Sequence, residues 1–138
     1  MSTSIRQITA SQTWPLRHEV MWPDMPLDYV KLPNDEEGIH YGLFVGEQLT
    51  SVVSLFADDQ EAQFRKLATA VGAQGNGYGT MLLSHLMKET QALSIDRVWC
   101  NARIDKTSFY HKFGLKETAR TFIKNRQSYV VMEKLISH

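Results

Sequence analysis

The stretch that most constrains the fold of this chain runs from Phe64 to Leu93 and reads FRKLATAVGAQGNGYGTMLLSHLMKETQAL. It contains a strand-like run, a glycine-rich loop and a helix-like run in immediate succession. Gly75, Gly77 and Gly79 occupy alternate positions directly before the apolar run. Because glycine has no Cβ, backbone N–H groups in such a loop can approach a bulky anion at the start of a helix. The first hypothesis for this loop is therefore a phosphate-binding site.

Two familiar phosphate-binding loops do not match this spacing. A Walker loop ends in Gly-Lys-Ser/Thr, and Gly79-Thr80 lacks the lysine. A dinucleotide loop reads Gly-x-Gly-x-x-Gly, and Thr80 stands where its last glycine would fall. The pattern that does fit is Gln-x-x-Gly-x-Gly, formed by Gln74, Gly77 and Gly79 after the strand-like run Leu67-Ala68-Thr69.

The length and composition predict a single globular domain over residues 1–138. The chain has 138 residues, of which 43% are hydrophobic and 22% charged, and its formal charge is zero. We therefore expect no nucleic-acid partner, because the broad positive field that draws proteins to nucleic acid is absent. No apolar run is long enough to cross a bilayer, and the start of the chain lacks the apolar block of a signal peptide. A small-molecule or peptide partner is expected, and no membrane.

A single cysteine, Cys100, excludes an internal disulfide framework and a cysteine-rich zinc site. This usage is typical of a reducing compartment, so we expect a cytoplasmic protein without a metal. Because Cys100 lies in an apolar strand-like run, we expect it to be a small core residue rather than a nucleophile.

Alternation and turn signals predict the order strand, helix, turn region, three strands, helix, strand, short helix, two strands. Ser11 is the predicted N-cap of the first helix. In the second helix, Leu82, Leu86 and Leu93 are predicted to share the face that packs on the sheet. Because that helix separates the fourth and fifth strands, they are expected to pair in parallel. The predicted strands are 4–8, 40–45, 49–56, 61–71, 97–102, 115–124 and 128–135.

Two motifs in this chain resemble those of the Gcn5-related N-acetyltransferase (GNAT) superfamily. The first runs from Leu67 to Gly79, and the second, Ser108 to Leu115, is similar to the Phe-Tyr-x-x-x-Gly-Phe segment after the family's fifth strand. Val71, Ala73 and Leu115 depart from the family's usual residues without removing backbone donors. The resemblance implies the α/β (α+β) GNAT fold, which is a mixed, mostly antiparallel sheet of about seven strands, with a splayed strand 4/5 pair, flanked by helices.

The resemblance also implies a binding site for acetyl-CoA. Backbone N–H groups from Gln74 to Thr80 would hold the pyrophosphate, aided by the helix dipole. The strand Leu67 to Thr69 would pair with the pantetheine arm, and Asn101 would reach the same arm from the neighbouring strand. The implied coenzyme-binding residues are Leu67, Ala68, Thr69, Gln74, Gly75, Asn76, Gly77, Tyr78, Gly79, Thr80, Asn101 and Tyr110.

The implied reaction is direct transfer of the acetyl group to a primary amine. An alkylamine has a pKa near ~10, so a base or a water chain must take its proton. Glu36, Glu37 and His40 are the candidate bases, of which Glu37 and His40 are retained with Tyr110 as catalytic candidates. By resemblance, Tyr110 would donate to the departing thiolate, and a backbone N–H within 69–71 is expected to meet the oxyanion.

Alternative functions stay open at this point. One is a non-catalytic acyl-CoA sensor or regulatory module, and a weaker one is a nucleotide-binding domain. The acceptor, the acyl chain length and the oligomeric state, a homodimer included, are also open, because substrate choice lies in segments without a readable code. A basic cluster of Arg120, Lys124 and Arg126 is either a solvated face or a contact for coenzyme phosphate or an acidic acceptor.

Overall fold

The computed structural model describes residues 2–137, so the predicted domain limits at residues 1 and 138 lie outside the described part. Within it, seven strands form one sheet and three α-helices flank it. Short 3₁₀ turns occur at Leu27–Val30, Asp35–Glu37, Val71–Ala73 and Ile104–Lys106. The main elements are β1 (Thr3–Ile8), α1 (Ala10–Met21), β2 (Ile39–Val45), β3 (Gln48–Asp58), β4 (Glu61–Thr69), α2 (Tyr78–Ala92), β5 (Arg97–Arg103), α3 (Thr107–His111), β6 (Lys116–Lys124) and β7 (Gln127–Leu135).

The strand order is β1-β2-β3-β4-β5-β7-β6, and β4 and β5 form its parallel pair. That pair is short, because only Glu61–Gln63 and Arg97–Trp99 are in register. Beyond it β4 runs on to Thr69 and β5 to Arg103 without pairing with each other, so the two strands diverge into a wedge. The predicted order of elements, the parallel crossover and the splayed strand 4/5 pair are confirmed.

A β-bulge lies in β4 just past the paired segment. Ser54 of β3 faces Arg65, whereas Val52 faces Ala68, so two residues of β4 stand opposite Val53. One of them, Lys66, has the left-handed backbone angle φ +60°. A bulge bends its strand and increases the local twist, which accounts for the departure of β4 from β5.

The sheet carries one helix on one face and two on the other. Val53 and Leu55 of β3 belong to the main core beneath α2 and α3, whereas Val52 packs with Leu16 of α1. Since side chains alternate along a strand, these clusters lie on opposite faces, hereafter the α2 face and the α1 face. The main core comprises the buried residues Tyr41, Leu43, Val53, Leu55, Ala62, Phe64, Leu82, Leu83, Leu86, Ile95, Val98, Cys100, Ala102, Phe113, Leu115, Val130 and Met132.

Local predictions were wrong at three places. Leu82 and Leu86 are fully buried, but Leu93 is 44% exposed because α2 ends at Ala92. The N-cap of α1 is Thr9 rather than Ser11, since Thr9 and Gln12 form a capping box. The fourth strand ends at Thr69 instead of residue 71, where a 3₁₀ turn begins.

Candidate active site

The three glycines of the loop serve different purposes. Gly75 and Gly77 have φ of +87° and +80°, and an added Cβ at either would meet nothing within 4 Å. Glycine is therefore favoured there by backbone conformation, which costs other residues roughly 1–2 kcal/mol, and not by crowding. At Gly79 an added Cβ would lie 3.6 Å from Thr69 Oγ1, an ordinary contact. The loop thus bends at two glycines and passes close to β4 at the third.

The start of α2 offers backbone donors to a ligand. Gly77 is its N-cap, without a side-chain cap and without an acidic residue in the first turn. The first intrahelical bond runs from Met81 N–H to the Gly77 carbonyl at 3.0 Å, so the amides of residues 78–80 have no partner within the helix. These N–H groups and the helix dipole favour an anion at this end.

Two side chains of the loop tie it to its surroundings. The Gln74 amide donates to the Thr69 carbonyl at 3.0 Å, and the Asn76 amide donates to the Ala73 carbonyl at 2.8 Å. Gln74 thus holds the loop against the end of β4. The motif glutamine and Asn76 shape the loop, while its backbone is left to face a ligand.

A cleft of about 230 Å³ lies between this loop, the end of β4 and α3. It brings together seven of the predicted coenzyme-binding residues: Thr69, Gln74, Gly75, Gly77, Tyr78, Gly79 and Thr80. Leu67, Ala68, Asn76, Asn101 and Tyr110 do not line it. Phe109 does, and sequence reasoning missed it although it belongs to the Phe-Tyr motif from which only Tyr110 was selected.

A backbone N–H at residues 69–71 was expected to meet the oxyanion. Two of these three N–H groups are already hydrogen-bonded within the protein, so only one stays available. The Ala70 N–H donates to the Thr50 carbonyl at 2.9 Å, and the Val71 N–H donates to the Glu19 carboxylate at 3.1 Å. Since backbone groups alternate in direction along an antiparallel edge, the pairing of Ala70 with β3 turns the Thr69 N–H toward the wedge. The sequence did not predict this contact of Glu19.

Tyr110 packs beside the wedge. Its ring lies 5.9 Å from that of Phe64 on β4 and 5.2 Å from that of Phe109. Burial, with a smaller contribution from Cys100, raises the pKa of Tyr110 to about 12. Its hydroxyl makes no hydrogen bond within residues 2–137, so this O–H is available as a donor. Burial also raises the pKa of Cys100 to about 12, which keeps this core thiol protonated and non-nucleophilic.

His40 lies in a buried polar network instead of an open site. It is 3% exposed, and its Nε2 lies 2.8 Å from the Asp35 carbonyl. A carbonyl only accepts, so Nε2 donates and Nδ1 accepts from the Ser54 hydroxyl at 2.7 Å. With both ring nitrogens occupied, the predicted role of His40 as a general base is not supported by the geometry.

Arg17 supplies the charge in this network, a role that the sequence did not predict. It is fully buried and forms a two-pronged ion pair with Asp35, with N···O distances of 2.9 and 3.0 Å. It also donates to Ser54 Oγ at 2.9 Å, which closes a ring of contacts through His40. Burial raises the pKa of Asp35, but hydrogen bonds from Arg17, Leu32 and Trp14 outweigh it and hold that pKa below its usual value.

Glu37 lies at the rim of a second cleft, of about 390 Å³. Gln63 and Trp99 line this cleft and are also the last paired residues of β4 and β5. They alternate with core residues of the α2 face, so the second cleft opens on the α1 face at the apex of the wedge. Its full lining is Asn34, Glu37, Phe56, Ala57, Asp58, Glu61, Gln63 and Trp99.

Comparisons with known proteins agree with this architecture. Residues 27–136 match the family profile described as an acetyltransferase (GNAT) domain. An uncharacterized N-acetyltransferase of Bacillus subtilis, YitI, is 27% identical over 142 residues, covering 96% of this chain and 95% of that protein.

Solved structures share the fold at low sequence identity. The ribosomal-protein-S18-alanine N-acetyltransferase of Escherichia coli has a TM-score of 0.83 at 16% identity, covering 99% of this chain and 96% of its own. A Bacillus subtilis acetyltransferase in complex with CoA has a TM-score of 0.78 at 18% identity, covering 99% of this chain and 100% of its own.

The family match spans well over half of the chain and coincides with the splayed strands and the open start of α2. The protein is therefore an acyltransferase by class. It belongs to the GNAT acetyltransferase family.

No helix within residues 2–137 is long and apolar enough to cross a membrane. The same residues contain no group of three or more His, Cys, Asp or Glu side chains placed to hold a metal ion.

Proposed function

We propose that this protein is an N-acetyltransferase, which moves the acetyl group of acetyl-CoA directly to a primary amine of a small-molecule or protein acceptor. The observation that carries the proposal is one cleft that joins the uncapped start of α2 to the unpaired edge of β4. The names of the relatives, which are N-acetyltransferases, and the CoA complex of the Bacillus subtilis acetyltransferase support it. The single, buried and unpaired cysteine supports a reducing, cytoplasmic location.

The residues of the cleft fit coenzyme A. We assign its pyrophosphate to the backbone N–H groups between Gln74 and Thr80, where no acidic side chain competes in the first helical turn. We assign its pantetheine arm to the edge of β4 from Leu67 to Thr69, whose backbone has lost its partner on β5. When bound, the coenzyme supplies a thioester that is activated for attack by an amine.

Thr69 and Tyr110 act on the two sides of that thioester. The Thr69 N–H donates to the carbonyl oxygen as negative charge develops there. Tyr110 has a pKa of about 12, and a free thiol has one near ~8.5. Complete proton transfer from Tyr110 to the thiolate would thus be uphill by roughly 5 kcal/mol. Tyr110 therefore stabilises the departing sulfur with a hydrogen bond and keeps its proton.

Glu37 is the side chain that we propose for proton removal from the amine. It is exposed at the rim of the second cleft, together with the carboxylates of Asp58 and Glu61. This cleft reaches the wedge apex on the α1 face, so a protonated amine is attracted to it and can lose its proton through water. Asn101 lies exposed on the same face and is proposed to contact the bound arm from β5.

A second candidate function is a non-catalytic acyl-CoA sensor. One observation favours it: the imidazole of His40, one of the three candidate bases, is fully engaged in the buried network. Such a sensor would bind acetyl-CoA without consuming it.

A coenzyme-release assay with acetyl-CoA and a panel of amines, amino acids and peptides tests the proposal. We expect turnover with at least one acceptor, reduced about 100- to 10,000-fold in Glu37→Gln, the range typical of a positioned general base. Glu36→Gln, an exposed neighbour, is the matched control and should retain activity. Saturable acetyl-CoA binding without turnover on any acceptor would favour the sensor. The absence of acetyl-CoA binding would reject both functions.

A further inference from the structure

Two basic residues occupy the edge of β4 where it leaves β5. Arg65 and Lys66 follow Gln63, the last residue of β4 paired with β5, by two and three positions. Arg65 faces Ser54 across the strand pair, and the Ser54 hydroxyl contacts Arg17. Residues directly opposite in a sheet share a face, so Arg65 lies on the α1 face. This is the face away from the cleft assigned to the coenzyme.

Neither cation forms an ion pair in the part of the chain that the structure describes. Within residues 2–137, Arg65 and Lys66 form no hydrogen bond through their side chains and no ion pair, although both are half-buried. Arg17, Arg97, Arg103 and Lys31 are all paired with carboxylates in the same structure. Two adjacent, partly desolvated positive charges are unfavourable unless an anion binds between them.

The pKa shifts of Arg65 and Lys66 agree with their lack of an ion-pair partner. Burial and repulsion from Arg17 lower the pKa of Arg65. Burial and repulsion from Arg65, Arg17 and Lys124 lower the pKa of Lys66. The negative charge of Asp35 acts in the opposite direction on both pKa values. The Asp35 carboxylate already forms an ion pair with Arg17, however.

The backbone at this point is held in an uncommon conformation. Lys66 has φ +60° within the bulge, a region that residues other than glycine, asparagine and aspartate seldom adopt. Strained residues of this kind persist where the surrounding structure holds them, and they concentrate at binding and active sites. Lys66 directly follows Arg65 in β4, and the positive charge of Arg65 acts on it.

We propose that Arg65 and Lys66 form an anion subsite for the acceptor, so that the amine acetylated by this protein also carries a carboxylate or phosphate group. The inference rests on the proposed function, since it assigns an acceptor to the same wedge. Arginine binds carboxylate and phosphate through paired N–H groups, and lysine adds a compact point charge.

The second cleft completes the site for such a molecule. Gln63 lines it and lies two residues before Arg65 on the same face, roughly 7 Å away along the strand. The carboxylates of Glu37, Asp58 and Glu61 line the same cleft and attract the ammonium end. An acceptor with both charges is thereby oriented with its amine toward the wedge apex and its anionic group on Arg65 and Lys66.

Matched acceptor pairs test the subsite and distinguish the source of the anion. β-Alanine against β-alaninamide probes a carboxylate, phosphoethanolamine against ethanolamine probes a phosphate, and peptides beginning with Asp or Asn probe an acidic protein segment. In the wild type we expect kcat/KM for one anionic member to exceed that of its neutral partner by about 10- to 100-fold, as for a hydrogen bond to a charged group. In Arg65→Gln and Lys66→Asn this ratio should fall toward one.

The control is Lys88→Gln, which removes an exposed charge on α2 and should leave the ratio unchanged. Asparagine is chosen at position 66 because it tolerates the left-handed conformation. A ratio near one in all wild-type pairs, or one that the two variants leave unchanged, would overturn the proposal. An equal rise in KM for acetyl-CoA in these variants would also overturn it, because the cations would then serve the coenzyme.

A binding measurement separates this inference from the proposed function. Calorimetric titration of the acetyl-CoA-loaded protein with succinate and with inorganic phosphate should show saturable binding of one anion, weakened in Arg65→Gln and retained in Lys88→Gln. Such binding without turnover on any amine would reject acetyl transfer and retain the anion subsite. Turnover without any anion binding, and without preference in the acceptor pairs, would reject the subsite and retain acetyl transfer.

Discussion

Arg17 and Asp35 form a buried, two-pronged ion pair that joins α1 to the turn before β2, with distances of 2.9 and 3.0 Å. We expect Asp35→Asn to lower the free energy of unfolding by about 3–5 kcal/mol, because it leaves the Arg17 charge buried without a counter-charge. Urea denaturation measures this loss. Asp28→Asn, which removes an exposed ion pair with Lys31, should have little effect. Equal stability losses in both variants would contradict the assigned role of the pair.

The same pair predicts how stability depends on pH. Because the pKa of Asp35 is lower in the folded protein than in the unfolded chain, its contribution is present above the unfolded value of ~3.9 and is lost as the pH falls through the folded value. Urea midpoints measured between pH 7 and pH 3 should therefore fall more steeply in the wild type than in Asp35→Asn. Parallel pH profiles would show that Asp35 does not contribute to the acid sensitivity.

Gly77 allows coenzyme binding to be separated from folding. Gly77→Asp and Gly77→Asn have nearly the same shape, meet no atom within 4 Å at Cβ and tolerate the left-handed backbone. The aspartate places a negative charge where the pyrophosphate is proposed to bind. We expect Gly77→Asp to weaken acetyl-CoA binding at least 10-fold more than Gly77→Asn, with similar melting temperatures for the two.

Calorimetry and thermal melting measure these two properties. Gly72→Ala is the control in the same segment, since Gly72 has an ordinary backbone angle and open space at Cβ. It should bind acetyl-CoA like the wild type. If Gly77→Asp binds as well as Gly77→Asn, the anion does not lie at the start of α2.

Tyr110→Phe tests the proposed hydrogen bond to the departing sulfur. We expect kcat to fall about 10- to 100-fold, the cost of losing a hydrogen bond to a charged group, with KM for acetyl-CoA nearly unchanged. Since the pKa of Tyr110 is about 12, its hydroxyl stays protonated and the ratio of wild-type to variant kcat should be constant from pH 6 to pH 9.

The control for this substitution is Tyr41→Phe. Tyr41 belongs to the same core, and burial likewise raises its pKa to about 12, but it lies on β2 away from the wedge. Its substitution should leave kcat unchanged. A similar loss in both variants would point to core packing rather than to the sulfur.

The glycine loop and the order of elements were predictable because they depend on local rules. Left-handed backbone at Gly75 and Gly77, and the helix that begins at Tyr78, follow from residues next to one another in the chain. The Arg17 network was not predictable, because Arg17 and Ser54 lie 37 positions apart and local patterns act over only a few residues. The hydrogen-bond partners of His40 were unpredictable for the same reason, since they are set by tertiary packing.

By itself, the sequence determined the family, the glycine-rich loop and the order of elements along the chain, since glycine positions, alternation and helical periodicity act over a few residues. Only the tertiary structure decided which groups face the wedge. The bulge at Lys66 turns β4 away from β5, where Arg65 and Lys66 have no ion-pair partner among the described residues. The buried network of Arg17, Asp35 and Ser54 holds the His40 ring away from the wedge. Those outcomes depend on which side chains from distant segments share a buried space, and local periodicity does not encode that.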